Sequence, residues 1–594
     1  MNAPNWLPIR ITVDGTPFQL VNQNEMHLNP KDGALLGYRR LLHLQSGLLT
    51  REVLFRAESG TIVRMVFERF VSLADEHVLA QQVQIIAVDG DPEIEIEAYV
   101  DHAVTNNGVA HWTDIQTTQG NGQVGVQLKT AQSGYRLGMA SQLVATSPIE
   151  TLVDSAHARP VMGTRFTLSR DEAATVSKIT TIYTSRDVEQ PLEAAQQKLQ
   201  EAVLTGYSSL REAHPAEWAR YWESSDIQIE GDEFAQLAVR FAMYHILIAS
   251  PRHDENVSIG AKTLSGFGYK GHVFWDTELF IVPPLILTQP QLARNLLMYR
   301  YHRLEGARHK AKANGYEGAM YPWESTDTGE ETTPQWGDPQ PDGSRIRIWT
   351  GDSEQHISTD ISYGVLQYWR WTGDDTFLTR YGAEIVLDTA VFWGSRVEAK
   401  NERYELSQQI GPDEYHENID NSVFTNRMVV WHLEQALELL IWLKDNALAD
   451  HARLVAKLDL NAERLAKWRD IIKRMYIPFD DERQIHVQFP GFFEMEYIPV
   501  PHYEPRTASV QAILGHPRSI QSQMIKQADV VMLMGLLGEE LAEPTVLLNN
   551  WNTYYPRTDH GSSLSPAVHA RVAAWLGLGE VAYAKQDWPA AQDY

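Results

Sequence analysis

The stretch Ile410-Gly-Pro-Asp-Glu-Tyr-His-Glu-Asn418 holds the residues best suited to chemistry in this chain. A Gly-Pro pair breaks regular structure, so Asp413, Glu414, His416 and Glu417 are expected on a loop at the end of an element. Loops fixed to a rigid scaffold are where catalytic groups concentrate. A protonated carboxyl held there could serve as the general acid of glycosidic bond cleavage.

Five other clusters carry chemistry-bearing side chains. Gly271-His-Val-Phe-Trp-Asp-Thr-Glu278 sets Trp275 beside Asp276, so a sugar could stack on the ring while the carboxylate accepts hydrogen bonds from its hydroxyls. A buried Trp next to a helix-capping Asp fits the same residues. Gly315-Tyr-Glu-Gly-Ala-Met-Tyr-Pro-Trp-Glu-Ser325 repeats the pairing as Trp323-Glu324, and the Asp327-Thr-Gly-Glu-Glu-Thr-Thr333 run after it is polar enough to be merely solvated. Farther on, Glu354-Gln-His-Ile-Ser-Thr-Asp360 leads into a helical pattern that Thr359 or Asp360 could cap. Ile525-Lys-Gln-Ala-Asp-Val530 offers Lys526 and Gln527, a cation beside an amide, or a salt-bridged surface Lys. Last comes Asp559-His-Gly-Ser-Ser-Leu-Ser565, ahead of Pro566 and a helix. Hydroxyls, an imidazole and free amides at a helix N-terminus make an anion cradle. Capping by Ser565 with Pro566 at the first helical position coexists with that reading.

The elements that must position these clusters change character along the chain. Residues 1 to about 186 read as β. Glu93-Ile-Glu-Ile-Glu-Ala-Tyr-Val100 alternates with its apolar residues on one face, Ile62–Val71 is rich in strand formers, Asp89-Gly-Asp-Pro92 is a turn, and Asp14-Gly15 could close a hairpin. Many short strands without helices between them predict a sandwich, either scaffold or a carbohydrate-binding module. Leu192–Leu204 and Ser208–Trp222 look helical, the second interrupted by Pro215. Beyond Glu233 the period is helical, with Phe234, Leu237, Ala238, Phe241, His245 and Ile248 on one face and His245 a core or rim residue. Helical segments follow at Ile361–Trp371, Ala383–Val397, Met428–Leu443, Leu460–Tyr476, Val530–Leu537 and Ala567–Leu576. Long Gly-, Pro- and Asp-rich segments at 317–354 and 405–426 separate several of them, the pattern of a helical toroid with functional loops gathered at one mouth.

Composition narrows the function classes. At 594 residues, with 43% hydrophobic and 22% charged, the chain is a soluble globular protein of more than one domain. Its 17 Trp and 24 Tyr suit the apolar faces of sugar rings, although large aromatic cores need them too. A net charge of −26 argues against nucleic acid as a partner but leaves room for a local phosphate pocket. Without cysteine there is no disulfide, thiolate nucleophile or Cys-bound zinc, which suits a cytoplasmic protein. The start lacks signal-peptide character, and runs such as Phe280–Leu287 are too short to span a bilayer, so no membrane partner is expected. Neither a Walker loop, a Rossmann glycine fingerprint nor a zinc-helix motif occurs, so no metal or nucleotide cofactor is expected.

Taken together and in order, the Phe274-Trp-Asp276, Gly411-Pro-Asp-Glu-Tyr-His-Glu-Asn418, Lys526-Gln-Ala-Asp-Val530 and His560-Gly-Ser-Ser-Leu-Ser565 segments resemble glycoside hydrolase family 65 through nearly the whole chain. That family contains inverting α-glucoside phosphorylases acting on maltose, trehalose, kojibiose and nigerose. The resemblance implies an N-terminal antiparallel β-sandwich over 1–186, a helical linker over 187–228 and an (α/α)6 barrel catalytic domain over 229–594, with a small C-terminal β domain in the family. It implies Glu414 as general acid, Trp275, Asp276, Lys526 and Gln527 at the substrate, and His560, Ser562 and Ser563 at phosphate. Phosphate would then be a co-substrate, attacking the anomeric carbon from the face opposite the departing oxygen. An anionic nucleophile needs no carboxylate base, so one acid and one anion cradle suffice.

The products implied are β-glucose 1-phosphate and the released acceptor sugar. For the acceptor, Trp323 and Glu324 in Tyr-Pro-Trp-Glu-Ser, followed by Thr-Gly-Glu-Glu-Thr, are most similar to the kojibiose-cleaving branch, with trehalose and nigerose still open. Family members are often homodimers. Two rivals remain: a noncatalytic sugar-binding chain, and a hydrolase needing a second carboxylate roughly 6.5–9.5 Å from the acid, for which Glu417 and Asp413 are adjacent candidates. Members usually have several dozen residues before a segment like Pro4-Asn-Trp-Leu-Pro8 and continue past the phosphate loop, so the sandwich is expected to lack its first strands and the barrel its closing helices.

Overall fold

A computed structural model describes residues 2–24, 27–120, 122–154, 159–264, 266, 268–337, 339 and 343–578. The stretch 579–594, on which the expected loss of closing helices bears, lies outside the described residues. The chain divides into two compact units, Met1–Ile248 and Ala249–Tyr594.

The first unit is an antiparallel β-sandwich followed by helices. One sheet runs in the order Glu150–Asp154, Arg159–Thr167, Glu93–Ala98, Ile9–Val13, Thr16–Phe18. The other has eight strands: Trp112–Gly120, Gln123–Thr130, Arg136–Val144, Ala173–Thr184, Val78–Asp89, Ile62–Val71, Leu48–Arg56 and Ala34–His43. The alternation read at 93–98 is real, for Ile94, Ile96 and Ala98 are buried and meet Val83, Ile85, Val124 and Met139 of the larger sheet in one core. Asp14 and Gly15 close the first hairpin with φ of 48° and 76°, the left-handed pair that a tight two-residue turn demands. The Asp89–Pro92 turn carries the chain from one sheet to the other.

Helices Pro191–Thr205 and Tyr207–Ser225 lie in this unit. The first sets Ala195, Leu199 and Ala202 on Val78, Ala140 and Ile179. Gly138 permits that approach, because a Cβ there would stand 2.2 Å from the Leu192 nitrogen. Pro215 does not interrupt the second helix, contrary to expectation. Buried His214 and Trp218 hold the turns on either side, and tertiary packing outweighs the hydrogen bond that Pro removes.

The stripe expected on Glu233–Ala249 is also corrected. Phe234, Leu237 and Phe241 are 74%, 56% and 50% exposed, whereas Met243, Tyr244 and Leu247 are buried. Tyr244 stacks on Trp218 at 5.0 Å, so the packing partner, not the broader apolar period, selects the buried face. His245 lies at the rim, edge-on to Phe241.

The second unit is helical, in line with the fold class implied above. Its main helices are Val282–Thr288, Pro290–His302, Ile357–Thr372, Ala383–Arg396, Val423–Asn446, Ala462–Arg474, Val530–Leu537 and Leu564–Trp575. Several start earlier than their periodicity suggests. Ser422 caps the longest helix by accepting from the Thr425 amide, and its first turn, Val423–Asn426, is buried on all sides and so shows no period.

Buried polar pairs fix the loops to these helices. Arg300 donates to both Glu278 oxygens at 2.7 and 2.9 Å and to the Phe274 carbonyl at 2.8 Å, with neither side chain exposed. Such a pair costs desolvation, and its bidentate geometry is what offsets it. The bond to Phe274 ties down the segment that carries Trp275 and Asp276.

Candidate functional site

Asp413 is the hub of the opening stretch. It is 1% exposed and accepts from His416 Nδ1 at 2.5 Å, Gln488 Nε2 at 2.7 Å, the Lys526 amide at 2.7 Å and the Tyr415 amide at 3.2 Å. Four donors saturate a carboxylate. The Asp413 amide in turn bonds Asp529 Oδ2 at 3.2 Å, and burial followed by the Asp413 charge pushes the Asp529 carboxyl up to about 7. These contacts stitch the Gly-Pro loop to the Lys-Gln-Ala-Asp segment, more than a hundred residues later.

Across that stitch Lys526 Nζ stands 2.8 Å from Glu414 Oε1, with side chains 24% and 27% exposed. The ammonium is salt-bridged, but not on an open surface. Burial alone would lower its pKa; the charge of Glu414 and the hydrogen bond to it, helped by Tyr269 and Glu354, raise it instead. Gln527 Nε2 donates to the Pro412 carbonyl at 2.6 Å and lies 3.5 Å from Glu414 Oε1.

A parallel bridge between Ile525 and Thr558 brings the next cluster alongside. The Ile525 amide donates to Arg557 O at 3.0 Å, the Asp559 amide to Ile525 O at 2.8 Å and the Gly561 amide to Lys526 O at 2.8 Å. His560 sits at the bend with φ of 53°, its Nδ1 2.8 Å from Ser565 Oγ. Ser562 is half-buried and Ser563 exposed. The helix begins at Leu564, with Ser563 as its N-cap residue, so Ser565 and Pro566 lie inside the first turn instead of at the cap. Ser565 Oγ accepts from the Ala528 amide instead. The nearby Asp559 carboxylate is engaged elsewhere, by Arg506, Tyr415 Oη at 2.7 Å and the Val510 amide at 2.8 Å.

The two Trp clusters are zipped together. Val273 and Ser325 exchange amide–carbonyl bonds of 2.9 Å in each direction. Trp275 and Trp323 are therefore neighbours, their rings 6.2 Å apart, both packed edge-on to His356 at 5.0 and 5.5 Å. At 3% and 5% exposure they form a wall, with no open face for stacking. Asp276 does not cap its helix through its side chain. Its carboxyl is pushed up to about 7, first by burial and then by the charges of Glu414 and Glu278. Glu324 Oε2 meets His272 Nδ1 at 2.6 Å.

In the acidic run after Trp323-Glu324, Asp327, Thr328 and Glu330 are exposed, but Glu331 is a clamp. Glu331 accepts from the Trp323 amide at 2.9 Å, the Glu324 amide at 3.2 Å and Lys310 at 2.5 Å. Sequence reasoning also missed Tyr269. It has a φ of 58°, rarely tolerated by a bulky residue, and its hydroxyl feels Lys526, Glu414, Asp276 and Glu324 together. A strained aromatic among all these groups has no local sequence signal.

Comparison with known proteins then bears on the whole arrangement. A family model described as glycosyl hydrolase family 65 central catalytic domain matches residues 240–593, and one described as the family 65 N-terminal domain matches residues 1–221. The chain belongs to glycosyl hydrolase family 65. Among family 65 relatives, kojibiose phosphorylase of Halothermothrix orenii is 39% identical over 600 residues, covering 98% of this chain and 76% of that protein. Nigerose phosphorylase of Lachnoclostridium phytofermentans is 33% identical over 613 residues, covering 98% and 79%. A solved structure from the human microbiome shares the fold, with a TM-score of 0.85 at 24% identity over 99% of this chain and 75% of that one. Among the described residues of this family 65 chain, no group of three or more His, Asp or Glu side chains could hold a metal ion. Nor is any helix long and apolar enough to cross a membrane.

Proposed function

We propose that this chain is an inverting disaccharide phosphorylase, converting an α-linked glucose disaccharide and inorganic phosphate to β-D-glucose 1-phosphate and a free sugar. One observation carries the reading: the Ile525–Thr558 bridge sets the His560-Gly-Ser-Ser loop directly beside the Glu414–Lys526 pair. Glu414, protonated, delivers its proton to the departing glycosidic oxygen. Phosphate is held by His560, the hydroxyls of Ser562 and Ser563 and the first amides of the helix at Leu564. A dianion there draws the Lys526 ammonium toward itself and frees Glu414 to carry the proton. Trp275 and Trp323 wall the donor glucose, while Asp276, Gln527 and Glu324 supply hydrogen-bond partners for its hydroxyls and those of the acceptor.

The hydrolytic alternative needs a carboxylate base, and the neighbouring candidates serve poorly. Asp413 is saturated by four donors and Asp559 is engaged by Arg506, Tyr415 and Val510. Glu417 is exposed. The H. orenii relative supports kojibiose as substrate, and the L. phytofermentans relative keeps nigerose as the second reading. The cysteine-free composition supports a cytoplasmic location, and the family resemblance a homodimer. Incubating the chain with kojibiose with and without inorganic phosphate is the test. Breakdown should require phosphate and fall by about 10²–10⁴-fold in Glu414→Gln; equal glucose release in both conditions would defeat it.

A further inference from the structure

The loop assigned to phosphate is backed by a hydroxyl to which the mechanism above gives no role. Ser565 is buried in the first turn of the helix Leu564–Trp575. Its Oγ lies 3.1 Å from the Ala528 amide nitrogen, 2.8 Å from His560 Nδ1 and 3.4 Å from His569 Nδ1. A serine hydroxyl has one proton to give and two lone pairs to receive with, so the neighbours decide where that proton goes.

Two of the three neighbours are donors. The Ala528 amide can only donate. His569 Nδ1 also stands 2.8 Å from the Ser565 carbonyl, which can only accept, so that nitrogen carries a proton. Among the described residues, His560 Nδ1 is therefore the one acceptor for the Ser565 hydroxyl. Were His560 an imidazolium, both its nitrogens would donate, and the buried hydroxyl proton would be left unpaired at a cost in stability. The surroundings also fix where the ring stands. His560 has a φ of 53°, its ring packs edge-on to the buried His569 at 4.6 Å, and the next amide, of Gly561, donates to the Lys526 carbonyl at 2.8 Å. A Cβ on Gly561 would come within 2.9 Å of Tyr415 Oη, so the loop is packed tightly there.

Resting on the assignment of His560 to phosphate, we propose that Ser565 is its positioning residue: by donating to Nδ1 it holds the imidazole as the neutral tautomer with its proton on Nε2. His560 then meets phosphate as a directed N–H donor and adds no charge of its own. Lys526 remains the cation that answers the dianion. A second full cation on this loop would compete with Lys526 for the phosphate and leave its ammonium on Glu414. The Ala528 amide completes the arrangement, because it ties the same hydroxyl to the segment that carries Lys526. One side chain thus sets both the protonation of His560 and its place beside Lys526.

The test is 15N NMR of the full chain labelled at histidine, since protonated and unprotonated ring nitrogens resonate far apart. The His560 signals are those missing from His560→Asn, Asn being a residue that tolerates the left-handed φ at this position. Wild type should show Nδ1 unprotonated and Nε2 protonated, and inorganic phosphate should shift the Nε2 signal. In Ser565→Ala the preference should be lost and the two nitrogens should average. The same variant should raise KM for phosphate by about tenfold or more, the scale of one hydrogen bond to a charged group, while KM for the disaccharide stays within roughly twofold. A merely structural loss would move both KM values together and leave the tautomer alone. A protonated Nδ1 in wild type, or an unaltered tautomer in Ser565→Ala, overturns the positioning role alone. Should Ser565→Ala fail to fold, the wild-type spectrum decides. His560 signals unmoved by saturating phosphate overturn the phosphate assignment on which the proposal rests, whatever the tautomer.

Discussion

Lys526 reaches the site by two routes: its ammonium stands 2.8 Å from Glu414 Oε1, and its backbone amide donates to Asp413 at 2.7 Å. The two routes are separable. Lys526→Met keeps the amide that anchors the loop and removes only the charge. Its stability is predicted to lie within about 1 kcal/mol of wild type, in keeping with an ion pair about a quarter exposed. The same substitution should cost about 10²–10³ in kcat/KM, the scale of one lost electrostatic contact to the reacting groups. Initial rates at varied phosphate, read beside a thermal melt, check both halves.

Asp413 calls for the opposite outcome. Replacing one acceptor oxygen by an NH2 group in Asp413→Asn sets that group against some of the donors of Tyr415, His416, Gln488 and Lys526. The variant should lose about 2–4 kcal/mol, because buried donors are left unpaired, and turnover should fall as Glu414 is displaced. Denaturation midpoint and kcat should drop together. Loss of kcat with unchanged stability would return Asp413 to the role of a base.

In the β unit, Lys178 is fully buried and donates to the Trp6, Pro8 and Tyr99 carbonyls at 2.6, 3.1 and 2.6 Å. Burial pushes its pKa down from 10.5 to about 7. Between those values the unfolded chain holds a proton that the folded chain has released, so this lysine's contribution to stability rises with pH. Below about pH 7 both states are protonated and the contribution is constant at its lowest. Relative to Lys178→Met, wild type should gain by up to about 1.4 kcal/mol per pH unit from pH 7 to 10. Paired denaturation curves at those pH values check it; a flat difference contradicts the assignment.

How much of this was legible in the sequence depended on the range of the interaction. Ile94, Ile96 and Ala98 declared a half-buried strand because alternation is local, and Asp14-Gly15 declared a turn because few residues tolerate left-handed φ. The motif segments at Glu414, Lys526 and His560 were visible as loops rich in polar groups. What joined them was not, since the Ile525–Thr558 bridge and two of the four donors around Asp413, Gln488 and Lys526, come from distant segments. Pro215 and the Phe234 stripe misled for a related reason: local propensity yields to the packing of Trp218 and Tyr244. Tyr269 carries no pattern of its own, and only its left-handed φ and its charged neighbours mark it.

The account turns on phosphate attacking the anomeric carbon while Glu414 protonates the leaving oxygen. The most direct measurement is proton NMR of the first product formed from kojibiose in phosphate buffer, before any mutarotation or hydrolysis. The account predicts β-glucose 1-phosphate and glucose in one-to-one ratio. The α anomer of the phosphate, or two glucose molecules with no sugar phosphate, would contradict it.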